Sequence, residues 1–306
     1  MTTAEIYQRL RPLMFSIAYR MVGSVSEAED IVQEAFLRYH AGQAQQAGIA
    51  SPKAYLSAVT TRLCIDHLRS ARAHREAYPG PWLPEPLLTG PAADPAGQAE
   101  QADSLSMAFL LVLERLSPVE RAVFLLHDVF GYGYAEIARI VGKSTGNCRQ
   151  LALRARRHVT DHKPRFEASR SKRDELAARF FSAVAHGNMD DLVSMLAADV
   201  VVYGDGGGTG PSWLRPIAGR DRVARLIAGV SSQIRQLAIT ARPTEINGQP
   251  GAMFLDPAGR LINVFVLDIA DGQVQTIRSV INPGKLRHLG QLADVADLRR
   301  QLHTPK

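Results

Sequence analysis

Apolar positions recur through the first 78 residues at the three- and four-residue intervals of an amphipathic helix. Ile6, Leu10, Leu13, Ile17 and Met21 form one such stripe. Ser24 and Ser26 can each cap the next helix, with Glu27 and Glu29 three residues on, as in a capping box. That helix runs through EAEDIVQEAFLRYH. A third is expected from Ser51-Pro52, with proline at the first helical position, through Leu56, Val59, Leu63 and Leu68 to about Arg75. The helical pattern returns over 104–165. Leu105–Leu116 reads as one helix, and Ser117-Pro118-Val119-Glu120 starts another with cap, proline and reciprocal glutamate. Gly131-Tyr132-Gly133 punctuates, Gly142 ends a short helix begun at Tyr134, and Ser144 caps its successor.

Residues 79–103 differ in kind. They hold six of the chain's 17 prolines and no Lys or Arg, and Glu85, Asp94, Glu100 and Asp103 make them acidic. This is an extended linker. Trp82 and Leu83, inside WLPEPLL, are costly to leave in water, so the segment is expected to dock.

Beyond residue 166 the period shortens. Two helices near 174–186 and 189–198, and one near Arg220–Ser231, accompany β-rich runs at Val200–Tyr203, Leu237–Ile246, Gly251–Leu255, Leu261–Ile269 and Val274–Val280. Asn247-Gly248, Asp256-Pro257-Ala258-Gly259 and Asp271-Gly272 are hairpin turn signals. Helices on an antiparallel sheet make an α+β domain. Leu286, Leu289, Leu292, Val295 and Leu298 then suggest a helical tail over Lys285–Leu302. The expected organisation is a multidomain chain: all-α over 1–78, linker over 79–103, all-α over 104–165, and α+β over 166–306.

Apolar residues make up 46% of the 306, which excludes general disorder. The longest apolar runs, such as Ile262–Ile269, are too short to span a bilayer, so no membrane role is expected. The N-terminus has no basic-then-apolar signal layout. Two cysteines allow neither a disulfide framework nor a cysteine zinc site, and a reducing cytoplasm is the natural compartment. A net charge of +6 permits a nucleic-acid partner without demanding one.

The arrangement of charge says more. In the helix after Ser144, Cys148, Leu151, Ala152, Ala155 and Val159 form an apolar stripe, while Arg149, Gln150, Arg154, Arg156 and Arg157 occupy the other faces. Two short helices joined by a glycine turn, the second basic, make a helix-turn-helix. Arg and Gln suit base edges in the major groove, and further Arg suit phosphates. A plain two-helix corner with a solvated basic face has the same pattern. Lys53, Arg62, Arg69, Arg72 and Arg75, with Ser57, Thr60 and Thr61, give the third helix a second basic face, which alone also reads as solvated. Gly142-Lys143-Ser144-Thr145 mimics the end of a phosphate-binding loop, but Ile137 stands where that motif needs glycine. His158 and His162 lack a third ligand, so no metal site follows.

GSVSEAEDIVQEAFLR strongly resembles region 2 of extracytoplasmic-function sigma factors, and LERLSPVERAVFLLHDVFGYGYAEIARIVGKSTGNCRQLALRARRHV resembles their region 4. WLPEPL, YGDGGG and INPGKL resemble the class with a C-terminal SnoaL-like extension of NTF2-like fold. Two positions depart from that pattern: Thr209 stands where a basic residue follows DGGG, and Gly284 where the family has Asp.

The resemblance implies core RNA polymerase and promoter DNA as partners. It assigns Glu29, Asp30, Gln33 and Glu34 to the polymerase clamp, and the loop Gly42–Lys53 to a flipped −10 base, a step that needs a pocket. It assigns Lys53, Arg62, Arg69 and Arg72 to the −10 duplex, and Lys143, Ser144, Thr145, Arg149, Gln150, Arg154, Arg156 and Arg157 to the −35 element. Trp82, Leu83, Pro84, Glu85, Pro86, Asp205, Gly206, Gly207, Gly208, Asn282, Pro283, Lys285 and Leu286 become an interdomain regulatory set. No cofactor and no separate anti-sigma protein is called for. The cone can enclose a small molecule. Tyr203, Asp205 and Asp268 are its candidate acid–base groups, but histidine is scarce there, and a regulatory, non-catalytic role is expected. The loop Asp205-Gly206-Gly207-Gly208 reads by itself as flexible. The alternative is a helix-turn-helix regulator whose cone senses or turns over a small molecule.

Overall fold

The computed structural model describes residues 2–44, 49–90, 104–162, 169–208 and 214–303, without the side chains of 44, 71–76 and 303. Its contacts gather the chain into two compact units: Met1–Ala77 with Phe109–Lys163, and Tyr78–Ala108 with Pro164–Lys306.

The first unit is helical: α1 (Thr3–Val22), α2 (Val25–Ala44), α3 (Pro52–Glu76), α4 (Met107–Leu113), α5 (Pro118–Phe124), α6 (Tyr134–Val141) and α7 (Thr145–His162). The first two residues of α4 belong by contact to the second unit. Of the two candidate caps for α2 the fold uses Ser24, whose Oγ accepts the Glu27 N–H at 3.2 Å. Ser117 and Glu120 form the expected reciprocal box. Helix α4 is shorter than the pattern predicts, because it closes in a tight turn at Arg115 and Leu116. The α1–α3 bundle buries Met14, Ile17, Tyr19, Met21, Tyr39 and Leu56 almost completely. Helix α3 also packs against α5 and α6, so the two helical blocks close on each other. Arg121 helps to seal them: its guanidinium donates to the Leu113 carbonyl at 3.0 Å, to the Glu114 carboxylate at 2.9 Å and to the Met21 carbonyl. A buried guanidinium is tolerable only when paired in this way.

The second unit holds α8 (Arg170–His186), α9 (Met189–Met195), α10 (Arg220–Gln236), α11 (Pro283–Leu286) and α12 (Val295–His303). Its strands are β1 (Leu196–Asp205), β2 (Ile217–Ala218), β3 (Thr240–Ile246), β4 (Gln249–Leu255), β5 (Leu261–Ala270) and β6 (Gln273–Val280), ordered β2-β1-β6-β5-β4-β3. The pairing is antiparallel except between β1 and β6, so the sheet is mixed where an antiparallel one was expected. Asn247-Gly248 and Asp271-Gly272 have positive φ throughout, as tight hairpins require. Helices α8, α9 and α10 bury Phe180, Phe181, Val184, Leu192, Val223 and Ile227 against Phe254, Phe265, Leu267 and Ile277 of the sheet. The helix expected over 189–198 stops at Met195 and passes straight into β1. The tail is not one helix either. It turns at Gly290 (φ 137°), pairs with the start of β5 through Gln291 and Ala293, and only then coils as α12.

Candidate nucleic-acid interface and linker clasp

Gly142 takes the left-handed conformation (φ 65°) that ends α6, and Ser144 Oγ accepts the Asn147 N–H at 3.2 Å to begin α7. Of the predicted apolar stripe, Cys148, Ala152, Ala155 and Val159 are buried and Leu151 is half-buried, which turns Arg149, Gln150, Arg154 and Arg157 outward. Lys143 and Ser144 are exposed and Thr145 is half-buried. Arg156 differs: its Nε donates to Asp128 at 2.6 Å and a terminal nitrogen lies 3.3 Å from the Tyr134 hydroxyl. The hydrogen bond to Asp128 raises its pKa further and ties it to its own domain. The Arg149 guanidinium lies 5.8 Å from the Tyr134 ring centroid and stays exposed.

The basic helix α3 is used in two ways. Lys53 and Arg69 are exposed, the first 5.6 Å from the Tyr132 ring and the second 3.4 Å from Asp66. Arg62 instead donates to the carbonyls of Ile140 (2.9 Å) and Arg139 (2.8 Å), the last turn of α6. A cation there also complements the helix dipole. Beside it, Ser57 and the Tyr132 hydroxyl share a buried hydrogen bond of 2.6 Å. Ser57, Thr60 and Thr61 are all buried, so they face the fold. The Arg72 and Arg75 side chains, and residues 45–48 of the loop before α3, lie outside the described residues.

On α2, Asp30 and Gln33 are exposed, Glu29 pairs with Arg11 at 2.6 Å, and Glu34 pairs with Arg38 at 2.7 Å. Leu37, one turn beyond Gln33 and Glu34, is 58% exposed, an apolar neighbour that charge patterning passed over.

The linker docks within the second unit. Asp205, at the end of β1, is fully buried and accepts from the Leu83 N–H (2.8 Å), the Tyr78 hydroxyl and the Lys285 ammonium (2.7 Å). Lys285 also donates to the Leu83 carbonyl, and its Nζ lies 4.3 Å from the Trp82 ring centroid and 4.9 Å from that of Tyr78. Burial pushes the Tyr78 phenol up, and its bond to Asp205 adds to the shift. The phenol therefore stays a donor at neutral pH. Leu83, Pro84, Glu85 and Pro86 are buried, and His288 Nε2 is 2.7 Å from the Pro86 carbonyl. The strand-like end of the linker reaches the β3–β4 turn, four strands away from β1. There Leu87 and Asn247 exchange hydrogen bonds, and the Thr89 N–H donates to the Glu245 carbonyl at 3.0 Å.

The glycines after Asp205 make this approach possible. A Cβ at Gly207 would collide with the Asn282 side chain, and one at Gly208 would lie 2.8 Å from Pro79. Gly206 is buried. The segment is thus a packed receptor for the linker, a correction to its reading as a flexible loop; Thr209 lies outside the described residues. Asn282 caps α11 by accepting the Gly284 N–H at 2.9 Å and donates to the Tyr78 hydroxyl at 2.8 Å. Pro283 opens α11, and Leu286 is buried beneath it.

The candidate acid–base groups do not converge. Asp205 serves the clasp, and Asp268 is paired with buried Arg278, whose guanidinium lies 5.9 Å from the Tyr203 ring. None of the three lines the cone's cavity of about 870 Å³, whose walls include Leu226, Val230, Phe254, Phe265, Asn263 and Leu298. No described helix is long and apolar enough to cross a membrane.

A helical bundle closed on a helix-turn-helix, with the linker between them strapped to an α+β cone, defines a multidomain DNA-binding transcription protein. The chain matches the family models Sigma-70 region 2 over residues 6–74 and Sigma-70, region 4 over residues 106–159. It is 37% identical over 294 residues to the ECF RNA polymerase sigma factor SigJ of Mycobacterium tuberculosis, covering 91% of each chain. It is 33% identical over 287 residues to the probable sigma factor SigI of that species, covering 90% of this chain and 92% of the relative. The crystal structure of M. tuberculosis SigJ superposes with a TM-score of 0.73 at 35% identity, covering 93% of this chain and 98% of that one. The chain therefore belongs to the extracytoplasmic-function RNA polymerase sigma factors, which act with core RNA polymerase to initiate transcription at promoters.

Proposed function

We propose that this sigma factor is regulated in cis: its two promoter-reading blocks are held shut, and the cone controls them by gripping the linker that joins them. The observation that carries this reading is the buried Asp205–Lys285 pair closed over the linker backbone at Leu83. Size supports it. The −10 and −35 elements are about 25 base pairs apart, roughly 85 Å of duplex at ~3.4 Å per pair. A compact unit of some 130 residues has a radius of gyration of only ~14 Å. Reading both elements requires α3 to leave α5 and α6, which breaks the Arg62 and Tyr132 contacts.

In the open form Lys53, Arg62, Arg69 and Arg72 face the −10 duplex, and Lys143, Ser144, Thr145, Arg149, Gln150, Arg154 and Arg157 of the helix-turn-helix face the −35 element, while Arg156 stays paired with Asp128. Glu29, Asp30, Gln33 and Glu34 meet polymerase. The protein works in the cytoplasm without a separate anti-sigma partner. The cone acts as a regulatory, non-catalytic module, since its candidate acid–base groups are committed elsewhere. The cavity of about 870 Å³ supports a second reading, a cone that senses a small molecule. Run-off transcription with purified core polymerase tests the proposal. Truncation after Leu286 removes the tail but keeps the clasp lysine, and is expected to raise output. Truncation after Arg165 removes the cone, which also scaffolds the linker, and is expected to lower it. Equal output from the full chain and both truncations would refute the reading.

A further inference from the structure

Leu153 stands out on the proposed recognition helix. It is 49% exposed, and only Leu37 and Leu214 are more exposed among the large apolar side chains of the described residues. At 100° per residue, the buried stripe Cys148–Ala152–Ala155–Val159 defines the inner face of α7. Gly146, Gln150, Leu153 and Arg157 fall on the opposite side, and all four are exposed. Leu153 is thus the apolar centre of the row that meets DNA if α7 is the −35 reader. Nothing in the fold requires leucine there. Glycine at 146 is equally unrequired: a Cβ would meet no atom within 4 Å. Gly146 starts this outward row without a side chain, ahead of Gln150 and Leu153, which leaves room on that row for the helix to come down onto a groove floor.

The floor of the major groove offers few apolar features, and the thymine C5-methyl is the one that an aliphatic side chain reads. We propose that Leu153 is a specificity-determining residue that packs on a thymine methyl of the −35 element. This rests on the assignment of α7 as the −35 reader. Gln150 and Leu153 are three residues apart, ~4.5 Å along the helix. The thymine therefore lies one or two base pairs from the base met by Gln150.

The test uses holoenzyme, full chain plus core polymerase. A −35 element is first obtained by selection from random duplexes, and each of its thymines is then replaced in turn by deoxyuridine, which removes only the methyl group. One buried methyl corresponds to roughly a three- to five-fold change in affinity. Wild-type holoenzyme should lose about that much at one thymine, and Leu153→Ala holoenzyme, folded by circular dichroism, should show no loss there. Equal losses in both proteins, or none in the wild type on a specifically bound site, would overturn the role of Leu153 while leaving α7 as the reader. Uniform loss of Leu153→Ala affinity on every sequence would overturn it in favour of a polymerase contact. Failure to select any −35 element would overturn it together with the assignment of α7.

Discussion

Replacing Lys285 with methionine keeps an unbranched side chain, one heavy atom shorter, and removes the charge at the centre of the clasp. Asp205 would keep its bonds from Tyr78 and the Leu83 N–H but lose the ammonium 2.7 Å away. Removing one partner of a buried pair costs about 3–5 kcal/mol. The two remaining donors put this case at the low end, near ~3 kcal/mol, which is about a hundred-fold in the docking equilibrium. The Leu83 carbonyl also loses its donor, and Trp82 its cation. Hydrogen exchange read at single amides is the assay. Protection of the Leu83 amide should fall by on the order of a hundred-fold. The Leu87 and Thr89 amides should fall less, because Asn247 and Glu245 hold them independently. Unchanged protection at Leu83 in a folded Lys285→Met protein would refute the claim that this pair holds the linker down.

Arg62→Ala should loosen the closed helical unit by about 1 kcal/mol, a charge-assisted bond discounted for its exposure. Hydroxyl-radical footprinting would show this as faster oxidation of Tyr132, now 7% exposed. Because the folded Tyr78 pKa is raised, its contribution to docking is complete below the unfolded value of about 10 and is lost as pH rises beyond it. Linker protection, corrected for intrinsic exchange, should hold constant from neutral pH to about 9 and then decline, and Tyr78→Phe should flatten that decline. Arg157→Ala should weaken promoter binding and reduce its salt dependence. Arg156→Ala should act mainly through loss of the Asp128 pair, an exposed bridge worth about 0–1 kcal/mol, measured by thermal melting.

Local chemistry carried the helical half of the fold into view. Ser117, Pro118 and Glu120 satisfy helix-end groups within one turn, and Gly142 needs only its own backbone freedom to stop α6, so both were legible. The strand runs and their turns were legible for the same reason. The parallel pairing of β1 with β6 was not, because it joins segments some 70 residues apart and leaves no trace in either period. The site divides likewise. The burial of Cys148, Ala152 and Ala155 fixes which arginines face outward, and periodicity contains that information. The role of Asp205 depends on Tyr78 and Lys285, which are 127 and 80 residues away. A carboxylate followed by three glycines looks like a loop until those partners arrive. Arg62 and Arg156 show in the sequence only as basic positions on their helices, and only the fold brings the α6 carbonyls to one and Asp128 to the other in the closed form.

The distance between α3 and α7 tests the central claim most directly. Spin labels at exposed positions, through Asp66→Cys and Thr160→Cys, report it by pulsed electron paramagnetic resonance, since Cys64 and Cys148 are buried. The closed protein should give a single short distance, below about 40 Å for a unit of this size. Core polymerase and promoter DNA should shift it beyond about 50 Å, towards the roughly 85 Å separation of the two elements. The same short distance in the transcribing complex, or a long one in the free protein, would contradict the account.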